Sequence, residues 1–281
     1  MAVLLALCSA LAYGLSDFVG GLLSRRTSAW SVAVVGQTSS TLCTALAAVF
    51  VAGDAAAVDY RWAALAGVGG GVGTGFLYRG FAAGRMSVVA PVSAVGAALV
   101  PMLAGALIGE RLTPLVWVGV IAALPAIWLV SSSPEDKAAS GGPGSLAAGL
   151  VDGVLAGLGF GWLFAALGQV PHSAGWWPLV LCQAVSVPTV AVLAAAMGAA
   201  WVPRGRAAGL AVVVGPLGAA ATGLFLLATQ EGHLTVAGVL SSLYPASTVL
   251  LAALILKERV HRAQGVGLVL CALAVAFVAG G

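Results

Sequence analysis

Polar and apolar positions alternate along this chain on the scale of a bilayer, not of a strand or a surface helix. Apolar runs of about 20 residues, the length needed to span hydrocarbon as a helix, recur at roughly 3–23, 30–52, 61–81, 86–108, 112–131, 146–167, 174–198, 207–228, 234–256 and 260–280. Short polar or breaker-rich turns separate them, among them SRRTS, GERLTP and KERVHR. The runs are apolar all round, whereas strands of a membrane barrel alternate polarity in segments of about ten residues. The pattern therefore predicts an all-α polytopic membrane protein with ten transmembrane helices. The longest connection, 132–145, is rich in Ser, Gly and Pro and reads as a linker. It separates a first unit, 1–131, from a second, 146–281.

The second unit repeats the first. Residues 84–119 align without a gap on 232–267, matching Gly84, Ser93, Glu110, Arg111 and Gly119 to Gly232, Ser241, Glu258, Arg259 and Gly267. Upstream, Gly67, Gly70, Thr74 and Gly75 pair with Gly215, Gly218, Thr222 and Gly223, and Trp30 and Gln37 pair with Trp176 and Gln183. Five spans per unit is an odd number, so the second unit enters the membrane from the opposite side. Two inverted-topology five-helix repeats are expected, an arrangement common in secondary transporters, whose substrate site lies between the repeats.

Composition narrows the class further. With 61% hydrophobic and 7% charged residues, the chain cannot cover the surface of a soluble domain, where about a quarter of residues are charged. The net charge of +3 comes from bases scattered singly or in pairs at span ends, not from a basic patch, so no nucleic-acid partner is expected. Taking the N-terminal side as a reference, the turns on the other side hold Arg25, Arg26, Arg79, Arg85, Lys137, Arg204, Arg206, Lys257, Arg259 and Arg262. Only Arg61 and Arg111 lie on the N-terminal side. By the positive-inside rule both termini face outward from a plasma or inner membrane. The four cysteines sit inside apolar runs without CxxC spacing, and the three histidines lie in turns. No metal, cofactor or catalytic constellation is indicated, which argues against an intramembrane enzyme; that and a channel are the alternatives to a carrier.

Residues 78–130 and 226–278 resemble the EamA module of the drug/metabolite transporter superfamily. Each has a short polar turn before its fourth span, a long apolar run, the Glu-Arg pair and a Gly-containing last span. Pro245, late in the fourth span of the second unit, fits that pattern, while Ala97 replaces it in the first. The resemblance implies a carrier of small metabolites, often an exporter. The first four helices of each unit would line a central cavity, with the fifth and tenth peripheral. It also implies cytoplasmic termini, opposite to the charge count.

Polar groups inside the apolar runs are the candidate site. Asp17 stands out as the one acid deep within a span, where a charge is costly unless it meets a wet cavity or a partner. It is the candidate for coupling transport to protons. Gln37 falls at a similar depth. Gln183 mirrors Gln37, and Tyr13 and Tyr244 can place hydroxyls in an apolar cavity. Trp162, Ser93 and Ser241 complete the cavity-lining candidates. Thr74 and Thr222 are matched positions that commonly bond their own backbone. Arg79 reads as an interfacial snorkelling arginine, and the Glu-Arg pairs as stabilisers of their own turns. Glycines at four-residue spacing, Gly67, Gly71 and Gly75 and then Gly149, Gly153, Gly157 and Gly161, predict faces of close helix approach. The expected partners are the lipid bilayer and a small organic solute such as an amino acid, an amine or a drug-like molecule.

Overall fold

A computed structural model describes residues 1–131, 143–255 and 261–281. Most of the linker at 132–145, and Lys257, Glu258 and Arg259, therefore lie outside the described residues. Within them the regular structure is helical: α1 (Ala2–Ser24), α2 (Ala29–Ala48), α3 (Ala57–Ala82), α4 (Met86–Leu107), α5 (Pro114–Ser131), α6 (Pro143–Leu167), α7 (Trp177–Ala196), α8 (Val214–Gln230), α9 (Leu234–Ser241), α10 (Tyr244–Ile255) and α11 (Arg262–Gly280). Short helical turns at Gly205–Gly209 and Leu210–Val213 lead into α8.

Seven helical segments are long and apolar enough to cross a membrane by length and composition: Ala2–Ser24, Val88–Leu107, Pro114–Ser131, Ala147–Leu167, Trp177–Ala196, Gly205–Gln230 and Arg262–Gly280. This is a multi-pass membrane protein. Two helices outside that set, α2 and α3, are long enough but less apolar. α2 carries Gln37, Thr38, Ser39, Ser40, Thr41 and Thr44, and α3 carries Asp59, Arg61 and Arg79.

The ninth apolar run is not one helix. It breaks between α9 and α10 at Ser242 and Leu243. Pro245 explains the break. A proline has no N–H for the carbonyl four residues back, here that of Ser241, and its ring crowds that carbonyl. The chain turns through tighter bonds instead, from Leu243 N–H to the Leu240 oxygen and from Ala246 N–H to the Leu243 oxygen. At the matched Ala97, α4 runs on unbroken, even though it holds Pro91 and Pro101. α1 packs closely against the break: a Cβ built on Gly14 would lie 2.9 Å from the Tyr244 carbonyl oxygen.

The glycine faces are contact faces. Along α6, a Cβ on Gly153, Gly157 or Gly161 would meet, in turn, Val92, the Ser93 carbonyl and Val100 of α4, at 2.7, 2.9 and 2.6 Å. On α3, Gly67 and Gly71 face α7 at Cys182 and Thr189. Helices pack this closely in an apolar solvent only where one side has no side chain. Gly75 leaves the α7-facing row: it seats the ring of Trp30, and the matched Gly223 seats that of Trp176.

α5 and α11 pair with each other at the edge of the bundle. Gly119, early in α5, lies against Ala274, Phe277 and Val278 late in α11. Gly267, early in α11, lies against Leu129 and Val130 late in α5. The pair is antiparallel and is joined through repeat-matched glycines.

Candidate functional site

A mainly apolar cavity that carries several polar groups lies within the bundle, walled by α1, α2 and α3 from the first half and α6, α7 and α8 from the second. Its free volume is about 50 Å3, room for a few water molecules. Among the described residues the fourth helices do not line it, so each half contributes three lining helices where the family resemblance implies four.

α1 brings Tyr13, Ser16 and Asp17 to the cavity. Spacings of three and four residues keep these positions on one helix face. Among the described residues Asp17 makes no hydrogen bond or ion pair, and no Lys, Arg or His lines the cavity. Tyr78 crosses to α1 from α3, its ring occupying the space where a side chain on Gly20 would stand. Tyr13 Oη and Ser40 Oγ are buried without a hydrogen-bond partner among the described residues.

The two halves contribute the same polar pair. Gln37 Nε2 of α2 donates to Thr74 Oγ1 of α3 at 3.0 Å. Gln183 Nε2 of α7 donates to Thr222 Oγ1 of α8 at 2.7 Å. Thr222 Oγ1 itself donates to the Gly218 carbonyl, so toward Gln183 it can only accept. That fixes the Gln183 amide with its nitrogen on Thr222 and its oxygen free. The threonines, of a kind that commonly bonds its own backbone, thus also hold the glutamines in place, and Thr222 does both.

Of the eight cavity candidates, Asp17, Gln37, Tyr13 and Gln183 meet at the cavity. Tyr244 does not line it. Its ring stands 6.3 Å from that of Tyr13, and its hydroxyl lies 3.1 Å from Ser93 Oγ. Ser93 and Ser241 are fully buried away from the cavity, Ser241 donating to the Ala6 carbonyl at 3.4 Å. Trp162 is placed differently from expectation: it is 46% exposed on the outer face of α6. The cavity-facing residues of that helix are Phe160 and Leu163, and Trp162 lies outside that arc. Ser16, Ser40, Tyr78 and Ser186 also line the cavity. In the sequence they look like ordinary residues of small-residue helices.

Asp152 corrects the reading of Asp17 as the one deeply placed acid. It lies in α6 with its side chain fully buried. Arg79 Nε donates to Asp152 Oδ1 at 2.8 Å, and Arg79 Nη2 bonds the same oxygen. Arg85 Nη1 stands 3.6 Å from Oδ2. Arg79, expected to snorkel freely, instead ties α3 to α6, with its guanidinium 4.8 Å above the Phe76 ring. The sequence signal for Asp152 was the same as for Asp17, an acid inside an apolar run.

Glu110 also reaches across the halves rather than serving only its own turn. Its carboxylate accepts from the N–H groups of Leu234 and Thr235 and from the Thr235 hydroxyl, capping the start of α9. A carboxylate at a helix N-terminus satisfies free N–H groups and complements the dipole. Further contacts join the two halves. Asp54 N–H donates to the Ser173 carbonyl at 2.8 Å, and the Ser31 side chain of α2 donates to the Val202 carbonyl at 3.3 Å.

The model of the EamA-like transporter family matches residues 1–132 and again 147–280. A solved structure described only as "Crystal structure of protein" is similar over 98% of this chain and 95% of its own, with a TM-score of 0.70 and 18% identity. That likeness bears on the fold alone. No curated protein matches the chain.

Proposed function

Since the chain belongs to the EamA-like transporter family, we propose that it is a secondary carrier that moves a small organic solute across the plasma membrane by alternating access. Ten spans form two inverted five-helix halves, 1–131 and 146–281, joined by 132–145, with both termini outside. The solute binds in the central cavity, with Asp17, Gln37, Tyr13 and Gln183 in contact with it. Asp17 carries the proton that couples transport to the gradient.

One observation carries this reading: the cavity lies between the halves and is lined by the same Gln–Thr pair from each. A site between two like halves can be exposed to either side in turn by rocking one half on the other. The antiparallel pairing of α5 with α11 through Gly119 and Gly267 supports the inverted relation. The broken α9–α10 element, beside Tyr13, is of the kind found at transporter sites.

The test is flux in proteoliposomes. Asp17→Asn is expected to abolish gradient-driven uptake while the circular-dichroism melting profile stays as in the parent protein. Unchanged flux removes Asp17 from the mechanism. Counterflow separates a carrier from a channel, because only a carrier exchanges labelled solute against an unlabelled pool.

A further inference from the structure

The chemistry of the cavity selects among the solutes such a carrier could take. Its polar groups are mainly acceptors: the Asp17 carboxylate, without a partner among the described residues, and the free Gln183 amide oxygen. Its unpaired hydroxyls, Tyr13 Oη and Ser40 Oγ, can also accept. Among the described residues no cationic side chain lines the cavity to balance Asp17. Buried polar groups left without partners are costly, so a fitting ligand supplies N–H donors and a positive charge.

The α6 wall differs in kind. Tyr13, Ser16 and Asp17 of α1 line the cavity together with Phe160 and Leu163 of α6. Beside them Phe164 meets the Tyr13 ring edge-on, with centroids 5.7 Å apart, and stacks on Phe225 at 4.3 Å. One half thus offers a hydroxyl and carboxylate wall where the other offers aromatic and aliphatic carbon. The Gln–Thr pairs are duplicated, but this wall is not, so a ligand has one preferred orientation.

We propose that the cavity binds a small primary amine with an apolar tail, its ammonium on Asp17 and its tail on Phe160 and Leu163, and excludes the α-amino acid with the same side chain. The amino acid adds a carboxylate beside Asp17 with no cation among the described lining residues to receive it, and like charges placed together in a desolvated site oppose binding. The small free volume favours tails of a few carbons. This rests on the carrier reading and adds the substrate class.

The experiment compares isoamylamine, leucine and isoamyl alcohol, which share one branched tail, by calorimetry on the purified full chain. The amine is expected to bind about 10- to 100-fold more tightly than either analogue, the range of one or two charge-assisted hydrogen bonds. Asp17→Asn is expected to erase the difference between amine and alcohol. If that variant does not fold, Gln183→Leu, which removes the amide oxygen, is expected to weaken the amine selectively. Leucine or the alcohol binding as tightly as the amine overturns the proposal. Counterflow over a panel of amines, amino acids and neutral solutes separates the two readings. Exchange of neutral or anionic solutes without any amine sinks the substrate class and leaves the carrier standing. No exchange by any solute sinks the carrier reading itself.

Discussion

The Arg79–Asp152 pair gives the most decisive measurement of how the halves are held. The Asp152 side chain is fully buried, while that of Arg79 is 27% exposed and that of Arg85 17%. Removing one partner of a buried pair costs about 3–5 kcal/mol, because the remaining charge has no water to turn to. Arg79→Ala leaves Asp152 in that position with only Arg85, 3.6 Å from Oδ2, so a cost of about 3 kcal/mol is expected. Asp152→Ala leaves two arginines whose long stems can carry the charge outward, and only the hydrogen bonds are lost, about 1.5–3 kcal/mol. The double variant leaves no buried carboxylate and should cost less than Arg79→Ala alone. A cycle measured by equilibrium unfolding in mixed SDS and maltoside micelles is therefore expected to show coupling of about 2 kcal/mol, within the range for contacting residues. Additivity to within about 0.5 kcal/mol, or a larger cost for Asp152→Ala than for Arg79→Ala, would refute the reasoning.

Gly157→Leu is expected to destabilise the protein by about 1–3 kcal/mol or more, because even a Cβ there meets the Ser93 carbonyl at 2.9 Å. The same change at Gly265, which has open space around it, should leave unfolding in micelles nearly unchanged. Glu110→Ala removes the acceptor for Leu234 and Thr235 and is expected to cost about 0.5–2 kcal/mol, the scale of a helix cap. Faster hydrogen exchange at those amides should accompany it, and unchanged exchange would remove Glu110 as the cap.

The helical class, the membrane and the family were all legible in the sequence, because burial in lipid leaves its mark on composition and run length. A chain that must satisfy its backbone inside hydrocarbon has little choice but long apolar helices. The repeat was legible for a related reason: matched Gly, Trp, Gln and Thr positions do the same local job in each half. Trp30 lies on Gly75 as Trp176 lies on Gly223, and Gln37 meets Thr74 as Gln183 meets Thr222. Half of the cavity candidates met there on the strength of polarity at mid-span alone.

What the sequence left undecided was direction and partnership. Trp162 and Leu163 are neighbours in one apolar run, yet one faces outward and the other lines the cavity. Apolar periodicity is nearly silent in lipid, where both faces of a helix are hydrophobic. Asp17 and Asp152 give the same sequence signal, and only packing assigns one to an open cavity and the other to a pair of arginines. Glu110 could not be matched to α9 from its own turn, because its partners lie 124 and 125 residues along the chain. Length, polarity and repetition are properties of a segment and are written in it. Which face meets which neighbour is a property of the packed bundle, and there the tertiary structure alone decides.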